Sequence, residues 1–104
     1  MLLVTTEEIT GKKCIQLGMV TGNTVQSKNF VKDFGAGMKS IVGGELVSYT
    51  KMLTEARNTA VIRMAEAAEQ LGADAVVGIR ISSSTIMQGA AEILASGTAV
   101  KFED

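Results

Sequence analysis

The chain has 104 residues, a net charge of −1 and a pI of about 5.4, which suits one domain spanning 1–104 and lacks the basic block of a nucleic-acid binder. Hydrophobic residues make up 46% and charged residues 20%, which argues against a disordered chain, and no apolar run reaches the roughly 18 residues of a membrane span. The N-terminus lacks the basic and long apolar stretches of a signal peptide, and one Cys allows no internal disulfide, so a cytoplasmic protein is expected.

Leu2 to Thr5 is β-branched and apolar enough for a first strand, and Thr10-Gly11 marks a turn. Lys13 to Ser27 alternates as a half-buried strand does. Ile15, Leu17, Met19, Thr21 and Val25 fall on one face of it, and Cys14, Gln16, Gly18, Val20 and Gly22 on the other. Gly22-Asn23 reads as a bulge or bend. Asn29 to Ile41 places Phe30, Phe34, Met38 and Ile41 at helical spacing, a short helix weakened by Gly35 and Gly37.

Glu45 to Leu71 reads as a long helix. Leu46, Tyr49, Leu53, Ala56, Ala60, Met64, Ala67 and Leu71 recur at three- and four-residue steps, and Gly72 follows as a left-handed C-cap. At 1.5 Å per residue it runs about 40 Å, long for a domain of this size. Asp74 to Ser83 is the next strand, with Val77, Ile79 and Ile81 on one face and Val76, Gly78 and Arg80 on the other. Ser82 to Gly89 reads as a polar connection, and Glu92 to Phe102 as the last strand.

Aromatics are 4% of the chain, with no Trp and no Pro. The core must come from Val, Ile, Leu, Met and Ala, which fill volume well only where backbones approach closely or a second subunit contributes. Gly18, Gly78 and Gly97 sit near the centres of the strands, and the helix offers Ala56, Ala60, Ala67 and Ala68. These are matched small surfaces for close helix–sheet contact, with bulges as the alternative use of the glycines.

Gly43-Gly44-Glu45-Leu46, Tyr49-Thr50, Ala56-Arg57, the run Leu71 to Gly78, and Gly97-Thr98-Ala99-Val100 together form an ordered series over nearly the whole chain. The series resembles the YbjQ-like family of bacterial proteins, described as "putative heavy-metal-binding". One departure is Ala95-Ser96 before Gly97, where the family carries an aromatic. The resemblance implies an α+β subunit of dodecin-like type. In it, an antiparallel sheet of about three main strands packs on one long helix plus a short helix, and copies close into a homopentameric ring. It also implies a bound metal ion.

The residues themselves speak weakly for chemistry. There is no His and one Cys, so the usual soft-ligand set for zinc or copper cannot be assembled in one chain. The metal candidates are Cys14, Glu45 and Asp74, with Met19, Met38, Met52, Met64 and Met87 as thioethers that more often fill core gaps. The commonest general base is missing, and neither a Gly-x-Ser-x-Gly elbow nor a phosphate-binding glycine fingerprint occurs. A non-enzymatic, self-associating module that holds a small ligand is therefore expected, ahead of a metal-binding protein and a small enzyme. Glu45, Tyr49, Arg57, Asp74 and Arg80 are its candidate ligand-binding residues, with the two arginines attracting an anionic group and Tyr49 offering a stacking face.

Overall fold

The chain is drawn out to 58 × 25 × 18 Å, with a radius of gyration of 17.0 Å, against about 13 Å for an ordinary domain of 100 residues. The computed structural model describes residues 1–27, 42–87 and 90–103, with backbone alone for Ser27 and 42–49. The short helix expected over 29–41 lies outside the described residues. Four strands are seen: β1 (Leu2–Leu3), β2 (Lys13–Ser27), β3 (Ala75–Met87) and β4 (Ala90–Glu103), with one helix, α1 (Val42–Gln70), between β2 and β3.

The sheet runs in the order β1-β3-β4-β2. β4 is antiparallel to both neighbours, while β1 lies parallel to β3. The three long strands are those expected, and the short parallel β1 makes the sheet mixed. Two bounds differ from the sequence reading by more than two residues. The helix begins at Val42, so Gly43-Gly44 lies within it. β3 continues through Ser82-Ser83-Ser84-Thr85 to Met87, where a connection was expected. The register Ser82↔Leu94 to Thr85↔Ala91 supplies the reason: a paired partner strand overrides the weak strand preference of three serines.

Beyond Gln70 the helix stops on a Schellman motif. Gly72, at φ 79°, donates its N–H to the Glu69 carbonyl at 2.9 Å, and Ala73 donates to the Ala68 carbonyl at 3.1 Å. Asp74 N–H then bonds the Val100 carbonyl at 2.8 Å, so the chain passes straight from cap to sheet.

The buried line on α1 is Met52, Ala56, Ala60, Met64 and Ala68, a strict four-residue row. Such a row drifts about 40° per step around a 3.6-residue helix, so the twisted sheet follows the helix round. Leu53 and Leu71, expected on the inner face, are 53% and 49% exposed because they lie off this line. Against the row pack Val20, Val76, Ile79, Ile93, Ala95 and Ala99, with Leu17 at the margin. Thr24 Oγ1 donates to the Ala56 carbonyl at 2.9 Å, and Arg63 Nη1 donates to the Asn23 carbonyl at 2.6 Å, so β2 is tied to the helix twice more.

The glycines divide differently from the expectation. The close approach is at Gly22, where a Cβ would meet the Ala60 carbonyl and Met64 amide of the helix backbone. Gly18 and Gly78 instead stand at register shifts in β2 and β3, and Gly97 is covered within the sheet by the Val76 side chain. Each bulge adds a residue and swaps the face of the residues beyond it. Leu17 therefore shares the helix side with Val20, and Ile79 shares it with Val76, correcting the unbroken alternation read for both strands. Gly78 has φ 63° and nothing near its missing Cβ, so the strain of a left-handed residue is the whole cost of replacing it. Gly78→Ala is expected to lose about 1–2 kcal/mol in a urea titration, and Gly78→Asn less.

A second, smaller core occupies the other side of the sheet. Ala75, Val77 and Val100 are buried there under Val4 and Ile9, with Cys14 and Phe102 beside them. Lys12 Nζ lies 5.1 Å from the centre of the Phe102 ring.

Candidate functional site

The N-terminal segment creates a polar recess. Val4 N–H bonds the Val76 carbonyl (3.0 Å), Gly78 N–H bonds the Thr6 carbonyl (2.8 Å) and Ile79 N–H bonds the Val4 carbonyl (3.1 Å). These bonds hold residues 4–6 along the bulged part of β3, and the chain then crosses below the sheet to reach β2. The Gly78 bulge turns Arg80 towards this loop, where its Nη1 donates to the carbonyls of Thr5 (3.0 Å) and Ile79 (2.9 Å). Both bonds use one nitrogen, so Nε and Nη2 keep three N–H donors that bind nothing else among the described residues.

The result is a cleft of about 500 Å³ lined by Glu7, Glu8, Gln16, Val77, Gly78, Arg80 and Thr98. Two carboxylates, a guanidinium, a neutral amide and a hydroxyl thus border one volume. Glu7, Glu8 and Arg80 also border a more open recess on the outer side of the same loop, with Thr5, Thr6 and Thr10.

The expected site residues that are described, Arg57, Asp74 and Arg80, are not gathered into one place. Arg80 is in the cleft. Arg57 lies across the sheet in a groove of about 200 Å³ with Leu53, Ile81, Ser82, Ser83 and Ile93. The side chains of Glu45 and Tyr49 lie outside the described residues. Asp74 Oδ2 accepts from the Phe102 backbone N–H at 2.8 Å, holding the β4 end to the start of β3. Asp74→Ala is accordingly expected to cost about 1–3 kcal/mol, by loss of a bond to a charged acceptor. Asp74→Asn, which keeps an acceptor oxygen, should cost less, and thermal unfolding would rank the pair.

Glu7, Glu8, Gln16 and Thr98 were not singled out by sequence. The adjacent glutamates were a visible signal, but their meeting with Arg80 depends on the loop crossing and on the bulge.

Among the described residues the donors do not gather into a site for a heavy-metal ion. Cys14 is half-buried in the smaller core beside Phe102. Asp74 is engaged from the β3 side of β4, while Cys14 sits on the β2 side of that strand. Among the described residues no three His, Cys, Asp or Glu side chains converge. No helix among them is long and apolar enough to cross a membrane.

Comparison with known proteins places the chain among relatives of similar length. A UPF0145 protein of Pseudothermotoga lettingae is 58% identical over 104 residues, covering 99% of this chain and 98% of that protein. UPF0145 proteins of Vibrio campbellii (59% over 103 residues, 98% and 99% covered) and Clostridioides difficile (56% over 105 residues, 100% and 94%) are similar throughout. None of these names denotes an enzyme. In three dimensions the chain superposes on a protein of unknown function of the DUF74 family from Pediococcus pentosaceus. The TM-score is 0.70 at 10% identity, with 99% of this chain and 98% of that one covered, a likeness of fold alone. Residues 1–103 match the YbjQ family, described as "Putative heavy-metal-binding", and with relatives at this identity over its full length the chain belongs to that family.

Proposed function

We propose that the protein is a non-enzymatic, cytoplasmic subunit of a dodecin-like homo-oligomer that holds a small zwitterionic ligand in the Arg80 cleft. The observation that carries the ligand reading is that Arg80, Glu7 and Glu8 line one cleft. Two carboxylates would repel a purely anionic guest, whereas a molecule bearing both signs meets a partner for each, with Gln16 and Thr98 as neutral hydrogen-bond groups. Arg57, on the far face, takes no part. Absence of His from the chain removes the commonest acid–base catalyst, so binding rather than turnover is the reading.

Calorimetric titration with free amino acids, the simplest zwitterions, tests it. Saturable heat that Arg80→Gln abolishes and Glu7→Gln/Glu8→Gln weakens is expected. No heat with any of them overturns the ligand reading. Titration with zinc, copper and cadmium alongside a Cys14→Ser control addresses the family's description. Stoichiometric metal binding by the wild type, lost in the control, would displace the zwitterion reading.

Assembly is supported by shape. The chain exposes 6962 Å², about 1,400 Å² more than a folded monomer of its mass ordinarily shows. Light scattering should return a multiple of the 10.9 kDa chain, five-fold for the pentameric ring that the resemblance implies. A stable monomer at micromolar concentration overturns the assembly reading and leaves the cleft test untouched.

A further inference from the structure

We propose that the subunits join through their sheets: β2 of one copy adds, in parallel, to the free stretch of β3 of the next, residues 80–87. The inference rests on the assembly reading and says how the copies meet.

Among the described residues, nothing pairs with the outer side of β2 or with the later part of β3. β2 ends the sheet along all 15 of its residues. β3 is covered on its outer side only at its start, where β1 pairs with Ala75 and Val76 and the following loop bonds reach Ile79. Monomeric proteins blunt such edges with Lys, Pro, bulges or short strands. Neither strand is short or carries Pro, and the bulges at Gly18 and between Thr85 and Met87 leave residues 19–27 and 80–85 in regular register. Within β2 the only charged residue is Lys13, at its first position, and the run Ile81 to Met87 has no charge and no proline.

Six of the twelve exposed large apolar side chains among the described residues lie on these two strands. Ile15, Met19 (79% exposed) and Val25 lie on β2, while Ile81, Ile86 and Met87 (65%) lie on β3.

Two unlike edges on opposite sides of one sheet make a head-to-tail contact, which closes into a ring when the rotation permits. β2 and β3 both run opposite to β4, so a sheet continued from copy to copy by rotation brings them together in parallel. A β2–β2 or β3–β3 contact would leave the other edge bare.

Cross-linking separates the possibilities. In the full-length oligomer, on a Cys14→Ser background, Val25→Cys and Ile86→Cys are each treated with a flexible bismaleimide. The double variant is expected to give a ladder of covalent multimers, and each single variant no covalent dimer. A single variant that cross-links to itself overturns the head-to-tail contact. So does an intact oligomer with no cross-link at all, the result expected if residues 28–41 of the same chain cover β2. Should the variants dissociate while the wild type stays assembled, amide exchange on the wild-type oligomer decides. Protection of β2 and residues 80–87 as strong as that of β4 is expected, and fast exchange at either edge overturns the contact. A monomeric wild type instead fails the assembly reading itself.

Discussion

Gly22→Val is expected to be the most damaging single change in the described core. A Cβ at this position runs into the Ala60 carbonyl and the Met64 amide, and lies 2.9 Å from the Arg63 carbonyl carbon. These are backbone atoms of α1, which no side-chain rotation can clear. The helix must lift off β2, opening contacts of Ala56, Ala60, Met64 and Val20 together. Overpacking of side chains alone costs about 1–3 kcal/mol, and a backbone clash belongs at or above the top of that range. Urea denaturation should show either a large fall in midpoint or no cooperative transition. Ala60→Gly offers a sharp control. It should fail to rescue Gly22→Val, because the obstruction is the carbonyl and not the methyl group. Rescue, or a Gly22→Val protein as stable as the parent, would show that the helix does not sit where it is described.

The second large effect is expected at Met64. Its side chain is fully buried, the longest such group facing the sheet, midway between Ala60 and Ala68 on the contact row. Met64→Ala removes methylenes and the thioether from a site where those two alanines cannot expand to fill the space, so about 2–5 kcal/mol should be lost. Leu53→Ala is the matched comparison. The sequence put Leu53 on the inner face, yet it is half-exposed, and its loss in the isolated chain should stay within about 0.5 kcal/mol. Equal effects at the two positions would contradict the four-residue contact row. If the assembled protein is the species measured, a larger loss at Leu53 would place that residue in a subunit contact.

These two experiments touch the places where sequence and structure part company. The helix was legible because its pattern is long and because Gly72 ends it with a capping arrangement that only a left-handed residue completes. The strands from Lys13 and Ala75 were legible from alternation, and the cap at Gly72 led directly into the second of them. The helix's inner face was misjudged by one residue at Leu53, since three- and four-residue steps define a broad stripe. Only the twist of the sheet selects the Met52–Ala68 row within it.

The glycines show the same limit more clearly. Gly18, Gly22, Gly78 and Gly97 look alike in a strand pattern. Whether one serves as a bulge or as a seat for the helix depends on which strand opposes it and what lies above. At Gly22 a helix backbone presses on the strand, whereas at Gly78 the chain takes φ 63° with open space beside it.

Composition, periodicity and caps therefore determined the inventory by themselves: three long strands, one overlong helix, a core of small side chains, and few reactive groups. Those signals are local, carried by residues within a turn or two of each other. Tertiary structure alone decided which face each strand presents, because a bulge changes the parity of everything beyond it. It alone brought Glu7 and Glu8, more than 70 positions from Arg80 in the sequence, to the same cleft, since that meeting requires the N-terminal loop to bond the bulged edge of β3.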